Sequence, residues 1–175
     1  MTAEQSQVLE LLAGSRFADG FSETQVRSMA SAARLVRLNK GQTLFEEGTY
    51  EDEVYVVSSG RMALLMRVPR RGHVKLLTLG PGDLVGWSGL VSDNRMTATA
   101  VADDASVLIG LSGRILQQLC VSDPEFGCVL MTRVARVLSR RLLATRLQLL
   151  DLFQESEPCS SILPATATVS PPDAV

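Results

Sequence analysis

The sequence predicts a mainly β fold, an antiparallel sandwich or barrel, with helices flanking it on both sides. Three observations carry this. Between Arg34 and Leu111, short apolar runs alternate with turn signals, most of which end in glycine. Ahead of that stretch, apolar residues cluster with helical spacing. After it they recur every three or four residues along a stretch free of glycine and proline. Many short strands joined by glycine corners are the pattern of a sandwich or barrel, because each tight corner needs a positive φ that glycine adopts cheaply.

The elements follow in order. Val8, Leu9, Leu11 and Leu12 form the apolar face of a first helix, broken at Ala13-Gly14-Ser15. Ser22 stands three residues before Gln25, the spacing of a capping box, and opens a second short helix through Ala33. Strands are then expected at 35–38, 43–45, 53–57, 61–68, 73–79, 96–102 and 105–111. Glycine-containing corners at Gly41, Gly48, Gly60, Gly72 and Gly80-Pro-Gly82 separate most of them. Leu111 to Val121 is helical again. Asp123-Pro124 starts a long helix, since Asp caps well and Pro suits the first helical position. Within that helix Met131, Ala135, Leu138, Leu142, Thr145, Leu149 and Leu152 alternate spacings of four and three, a heptad seam. Such a seam either packs on its own sheet or pairs with a second copy. Leu143, Leu147 and Leu150 lie off the seam and can cover the sheet, which leaves the seam for a homodimer. Residues 156–175 are rich in Pro, Ser, Thr and Ala, hold no aromatic residue, and are expected to be a disordered tail. The organisation is therefore a β unit with its first helices at 1–122, a dimerising and coupling helix at 123–155, and a tail at 156–175.

Composition narrows the function classes. The chain has 175 residues, 46% hydrophobic and 21% charged, enough for one core of ordinary globular type. Net charge is −2, which argues against a chain built to coat nucleic acid. No apolar run is long enough to span a membrane, and no secretory leader opens the chain, so a cytoplasmic protein without membrane contact is expected. The cysteines Cys120, Cys128 and Cys159 are widely spaced, and His73 is the lone histidine. Zinc and iron–sulfur sites therefore lack ligands within one chain. A cupin-type metal enzyme needs several histidines, so no catalytic residue, metal or enzymatic role is expected. Cys120 and Cys128 read as small buried hydrophobes, His73 as a solvated residue. Two basic stripes, one on the hairpin (Arg67, Arg70, Arg71, Lys75) and one on the long helix (Arg133, Arg136, Arg140, Arg141, Arg146), read as solvated faces.

Three stretches carry a resemblance. They are Leu38-Asn-Lys-Gly-Gln-Thr-Leu-Phe-Glu-Glu-Gly48, Asp52-Glu-Val-Tyr-Val-Val-Ser-Ser-Gly60 and Leu79-Gly-Pro-Gly-Asp-Leu-Val-Gly86. With the closing helix, they resemble the cyclic-nucleotide-binding domain of the CRP/FNR regulators over about residues 8 to 152. The resemblance implies a double-stranded β-helix, or jelly roll, closed by the long C-terminal helix. It also implies a phosphate-binding cassette after the Gly-Asp pair: a turn of helix whose N–H groups and one arginine hold the cyclic phosphate, with one glutamate on the ribose. The matching residues are Gly86, Trp87, Ser88, Gly89 and Leu90, then Arg95, Met96 and Thr97, and Thr145 on the long helix where the family reaches the purine.

Here the chain departs from the pattern. Trp87 stands where the ribose glutamate is expected, and Met96 where the phosphate arginine is expected. Arg95 is one residue early, which on a regular strand is a change of face. Losing one charged hydrogen bond costs about 1.5–3 kcal/mol. The expectation is weakened or altered nucleotide binding. Trp87 either fills the pocket or lines it for a more apolar ligand; Thr145 is either a purine contact or an ordinary seam residue.

The resulting reading is a stand-alone ligand-sensing regulatory module for signal transduction, taking a cyclic nucleotide or another small ligand and acting through its long helix. The alternative is a degenerate, non-binding domain that dimerises or docks a protein partner as a scaffold. The family's regulators continue into a helix-turn-helix; none is visible here, so no sequence-specific DNA contact by this chain is expected.

Overall fold

In a computed structural model, residues 2–91 and 94–154 are described, with side chains to residue 147. Helices α1 (Ala3–Ala13) and α2 (Glu23–Ser31) precede eight strands: β1 (Ala33–Leu38), β2 (Thr43–Phe45), β3 (Glu53–Ser59), β4 (Met62–Val68), β5 (Gly72–Leu79), β6 (Leu84–Val85), β7 (Thr99–Ala102) and β8 (Ser106–Ser112). The one-turn helix α3 (Ser88–Val91) sits between β6 and β7, and α4 (Gly113–Ser122) and α5 (Pro124–Gln154) close the chain. By contacts the chain divides into two compact units, Met1–Arg141 and a second starting at Leu142.

Two four-stranded antiparallel sheets make the β unit, in the orders β1-β8-β3-β6 and β2-β7-β4-β5. The period-2 alternation of β3 builds both cores. Val54 and Val56 face the helices, joining Val8, Leu12, Leu90, Leu116, Phe126, Leu130 and Val134 in one apolar cluster. Tyr55 and Val57 face the other sheet, joining Phe45, Met62, Leu64, Ala100 and Leu108 in a second. Phe21 links Phe17 and Phe126 by ring contacts at centroid distances of 5.9 and 5.1 Å, tying the segment between α1 and α2 to α5.

The local signals work as their chemistry predicts. Ser22 Oγ accepts from Gln25 N at 3.2 Å while Gln25 Oε1 accepts from Ser22 N at 2.9 Å, a complete capping box. Thr2 and Gln5 form the same box at α1. Asp123 Oδ1 accepts from Phe126 N at 3.0 Å, directly ahead of Pro124.

Four expectations need correction. The strand expected at 96–102 begins at Thr99, because the Met96 N–H and C=O already pair with Thr49 O and Gly48 N, and the β2–β7 register shifts between Thr43 and Phe45. Leu143 and Leu147, expected to cover the sheet, are largely exposed. They are 60% and 54% exposed, and the α5 residues that join the core are Phe126, Leu130 and Val134, with Val137 and Leu138 packed at its edge. Cys128 is exposed rather than buried; Cys120 is half-buried. The basic stripe of α5 is not uniformly solvated: Arg133 and Arg141 are half-buried and hydrogen-bonded to backbone carbonyls. The tail from 156, and the side chains of Leu149, Leu150 and Leu152, lie outside the described residues.

Candidate functional site

An open cleft of about 1230 Å³ lies over the face of the β2-β7-β4-β5 sheet that points away from the inter-sheet core. Strand alternation assigns its floor. Thr99 and Val101 of β7 line it, whereas Ala100 and Ala102 point into the core. The same alternation runs back through the segment before β7. Arg95 and Thr97 are exposed in the cleft, and Met96 between them is only 2% exposed, within the inter-sheet cluster.

Arg95 thus lies on the face opposite Met96 and Ala98, as its one-residue offset on a strand implies, and that face is the one the cleft covers. Backbone pairing of Met96 with Gly48 and Thr49, and of Tyr50 with Arg95, sends Met96 inward and Arg95 outward. A Cβ on Gly48 would stand 3.8 Å from Arg95 Nη2, so the guanidinium lies across that corner.

The cassette forms the adjoining wall. Gly86 takes φ +74°, and a Cβ there would meet Glu53 O and Phe45 Cε1 at 3.2 Å, so only glycine turns the chain here without strain. Trp87 follows, half-buried, packed on the helix-side core and lining the cleft. It lines the open cleft and also borders the small space beneath the cassette. Ser88 also lines the cleft; Gly89 and Leu90 are buried beneath it and anchor α3, Gly89 against the Glu51 and Glu53 carbonyls and Leu90 in the core. Thr145 is exposed and belongs to the second unit.

Several lining residues were not singled out by sequence motifs. Glu46 and Glu47 bring carboxylates to a cleft whose expected acid position is Trp87. The Glu47 backbone N–H donates to Thr99 Oγ1 at 2.9 Å, and its carboxylate accepts from Arg67 N at 2.8 Å. Arg67 and His73, opposite each other in the β4–β5 register, line the far end. The period-2 pattern of β4 and β7 was the available signal for Arg67 and Thr99. Nothing in the sequence marked Glu47, whose position depends on how the loop after β2 folds back.

Arg141 of α5 was also missed as a site residue. With Trp87, Ser88, Met96 and Thr97 it lines a small void of about 20 Å³ beneath the cassette, and it donates a hydrogen bond to Leu84 O. Burial pushes its guanidinium down to about 10, against the opposing charge of Asp83. A cation on the long helix is thus fastened two residues ahead of Gly86. Among the described residues no cluster of three or more His, Cys, Asp or Glu side chains is placed to hold a metal, and no helix is long and apolar enough to cross a membrane.

Comparison with known proteins agrees with this architecture. The family model of the cyclic nucleotide-binding domain matches residues 35–123, and the chain belongs to that family. A CRP-like cAMP-activated global transcriptional regulator of Mycobacterium tuberculosis is 27% identical over 145 residues, covering 82% of this chain. The match spans 62% of that regulator's length. Among solved structures, the N-terminal domain of a transcriptional regulator from Streptomyces coelicolor superposes with a TM-score of 0.62 at 29% identity, covering 74% of this chain and 93% of that one. A cyclic nucleotide-binding domain from Methylobacillus flagellatus superposes with a TM-score of 0.71 at 19% identity, covering 91% and 86%, and shares the fold. The protein is thus a regulatory domain of the cyclic nucleotide-binding type, similar to those of CRP-like regulators.

Proposed function

We propose that the chain is a ligand-sensing regulatory module whose cleft takes a small planar anion of the cyclic-nucleotide class, with altered affinity, and signals through α5. The observation that carries this is the open cleft that Arg95 and the cassette residues Trp87 and Ser88 both line. Arg95 offers the charge-assisted bond that a phosphate needs, from a position one residue ahead of the family's arginine. Trp87 offers a flat apolar surface to a base or another ring, in place of an acid that would hold a ribose hydroxyl. The missing glutamate contact weakens binding, and Glu46 or Glu47 becomes the nearest carboxylate for a sugar hydroxyl.

Transmission follows from Arg141. A ligand that shifts the turn at Gly86 moves the Leu84 carbonyl to which α5 is fastened, so it changes the relative free energy of two positions of α5. The shift is limited by the ligand's differential affinity for the two. The output surface in this reading is the heptad seam, where Met131 is 40% and Leu142 is 54% exposed, and its occupant is a second copy of the chain.

Titration with cyclic AMP, cyclic GMP and cyclic di-GMP, read by the fluorescence of the lone tryptophan, tests the proposal. At least one nucleotide is expected to change Trp87 emission saturably, and Arg95→Gln to weaken it ten- to more than a hundredfold, the loss of one charged hydrogen bond. No response to any of the three removes the nucleotide reading. If the protein still sediments as a dimer, the scaffold reading replaces it.

A further inference from the structure

A second cavity lies at the β5–β6 corner and shares no lining residue with the cleft. It measures about 230 Å³. Arg16, from the connection between α1 and α2, faces Arg133, Arg136 and Arg140 of α5 across it, with Asp19 and Asp83 at its edges. The three α5 arginines follow spacings of three and four, so one helix face presents them all. Four guanidinium groups gathered around one small cavity is an unusual concentration in a chain whose net charge is −2.

The two carboxylates offset this group only in part, through an ion pair between Asp19 and Arg133. Asp83 accepts from Gly80 N at 2.9 Å, shaping the corner itself. Asp19 Oδ2 stands 3.8 Å from Arg133 Nη2, and Arg133 also donates to the Asp19 carbonyl. Arg136 and Arg140 make no hydrogen bond or ion pair with any described residue. Arg16 is held in place: its Nη2 donates to Pro81 O at 2.6 Å. Its stem lies against Gly82, where a Cβ would stand 3.1 Å from Arg16 Cβ and Nε. The site thus has one oriented arginine on one wall and, on the other, two arginines with no counter-ion among the described residues.

We infer that this groove is a binding site for a small soluble polyanion carrying two or more linked phosphates. Guanidinium groups match phosphate oxygens bidentately and remain charged at all physiological pH values. The row from Arg133 to Arg140 extends about 10 Å along the helix axis at 1.5 Å per residue. A lone phosphate therefore meets only part of it, whereas a phosphate chain can meet Arg136, Arg140 and Arg16 together. A cavity of this size excludes a nucleic-acid duplex. Because the groove joins the corner that leads into β6 to the face of α5, its occupant would tether the same two elements that Arg141 joins beneath the cassette.

Isothermal titration of the full chain with inorganic tripolyphosphate, in low and in physiological salt, tests this. Saturable binding is expected, tighter by at least tenfold than that of orthophosphate and weakened by added salt. Arg136→Gln/Arg140→Gln is expected to weaken it ten- to a hundredfold, and Arg16→Gln, on the other wall, to weaken it as well. Both variants replace exposed side chains and should keep the parent's circular dichroism. Arg95→Gln, in the cleft, should leave tripolyphosphate binding unchanged. Absence of binding in low salt overturns the inference. So do affinities equal to those of orthophosphate, affinities unaffected by the groove variants, or affinities lost with Arg95→Gln.

Discussion

Gly60 turns β3 into β4 at a φ of +82°, and a Cβ there would overlap Ser106 Oγ and the Ala105 carbonyl. The crowding has a purpose. Ser106, 3% exposed, accepts from Arg61 N at 3.0 Å and donates to the Asp104 carbonyl at 2.8 Å, locking the hairpin onto the start of β8. Gly60→Ala therefore meets two penalties: about 1–2 kcal/mol for left-handed backbone and about 1–3 kcal/mol for overpacking. At roughly 2–4 °C per kcal/mol for a chain of this size, we expect calorimetry to show Tm lowered by roughly 4–20 °C. An unchanged Tm would mean that the corner is far looser than its contacts imply. Gly72, whose added Cβ would meet nothing within 4 Å, has the backbone penalty alone and serves as the control.

At the scale of elements, the start of α5 is bound to the start of α2 through one side chain. Gln25 closes its own capping box with Oε1 and donates through Nε2 to Asp123 Oδ2 at 2.8 Å, while Asp123 caps α5 with its other oxygen. The Gln25 hydrogen bond, followed by the Phe126 N–H, holds the Asp123 carboxyl below the ordinary aspartate range. A carboxyl held low in the folded state contributes stability above its unfolded value, about 3.9, and loses it as pH falls through the lower folded value. Asp123→Ala should therefore lower Tm by roughly 2–6 °C at pH 7, the range for a lost N-cap. The difference between parent and variant should shrink steadily below pH 4, measured by thermal melts from pH 7 to pH 2.5. A difference independent of pH would show that the cap acts through packing and not through its charge.

At the scale of the whole molecule, the proposed output is the seam of α5. Met131, Ala135 and Leu142 are exposed in the single chain, whereas Leu138, on the same heptad, packs on the helix-side core. Met131→Glu combined with Leu142→Asp should convert a dimer into a monomer in sedimentation while leaving the melting of the β unit within a few degrees. A parent chain that sediments as a monomer at tens of micromolar would remove the seam from the mechanism.

Much of this was legible in the sequence because it depends on neighbours within a few residues. Glycine corners, the Ser22–Gln25 box and the Asp123-Pro124 helix start are local chemistry, and the apolar alternation of β3 needs only the strand period to place two cores. The motifs from Leu38 to Gly86 added the family, and with it the place of the cassette. What they left undecided was direction. Whether Arg95 or Met96 faces the cleft turns on backbone pairing with Gly48 and Thr49, nearly fifty residues away in the chain. Arg141 beneath the cassette, Glu47 in the cleft and the four arginines of the second groove are likewise brought together by segments far apart in sequence. The chain alone thus determined most of the elements and the corners between them, while β6 and the start of β7 were decided by the fold. The tertiary structure alone decided which charges meet, because which face of a strand is left open and which elements converge depend on long-range packing that no local pattern records.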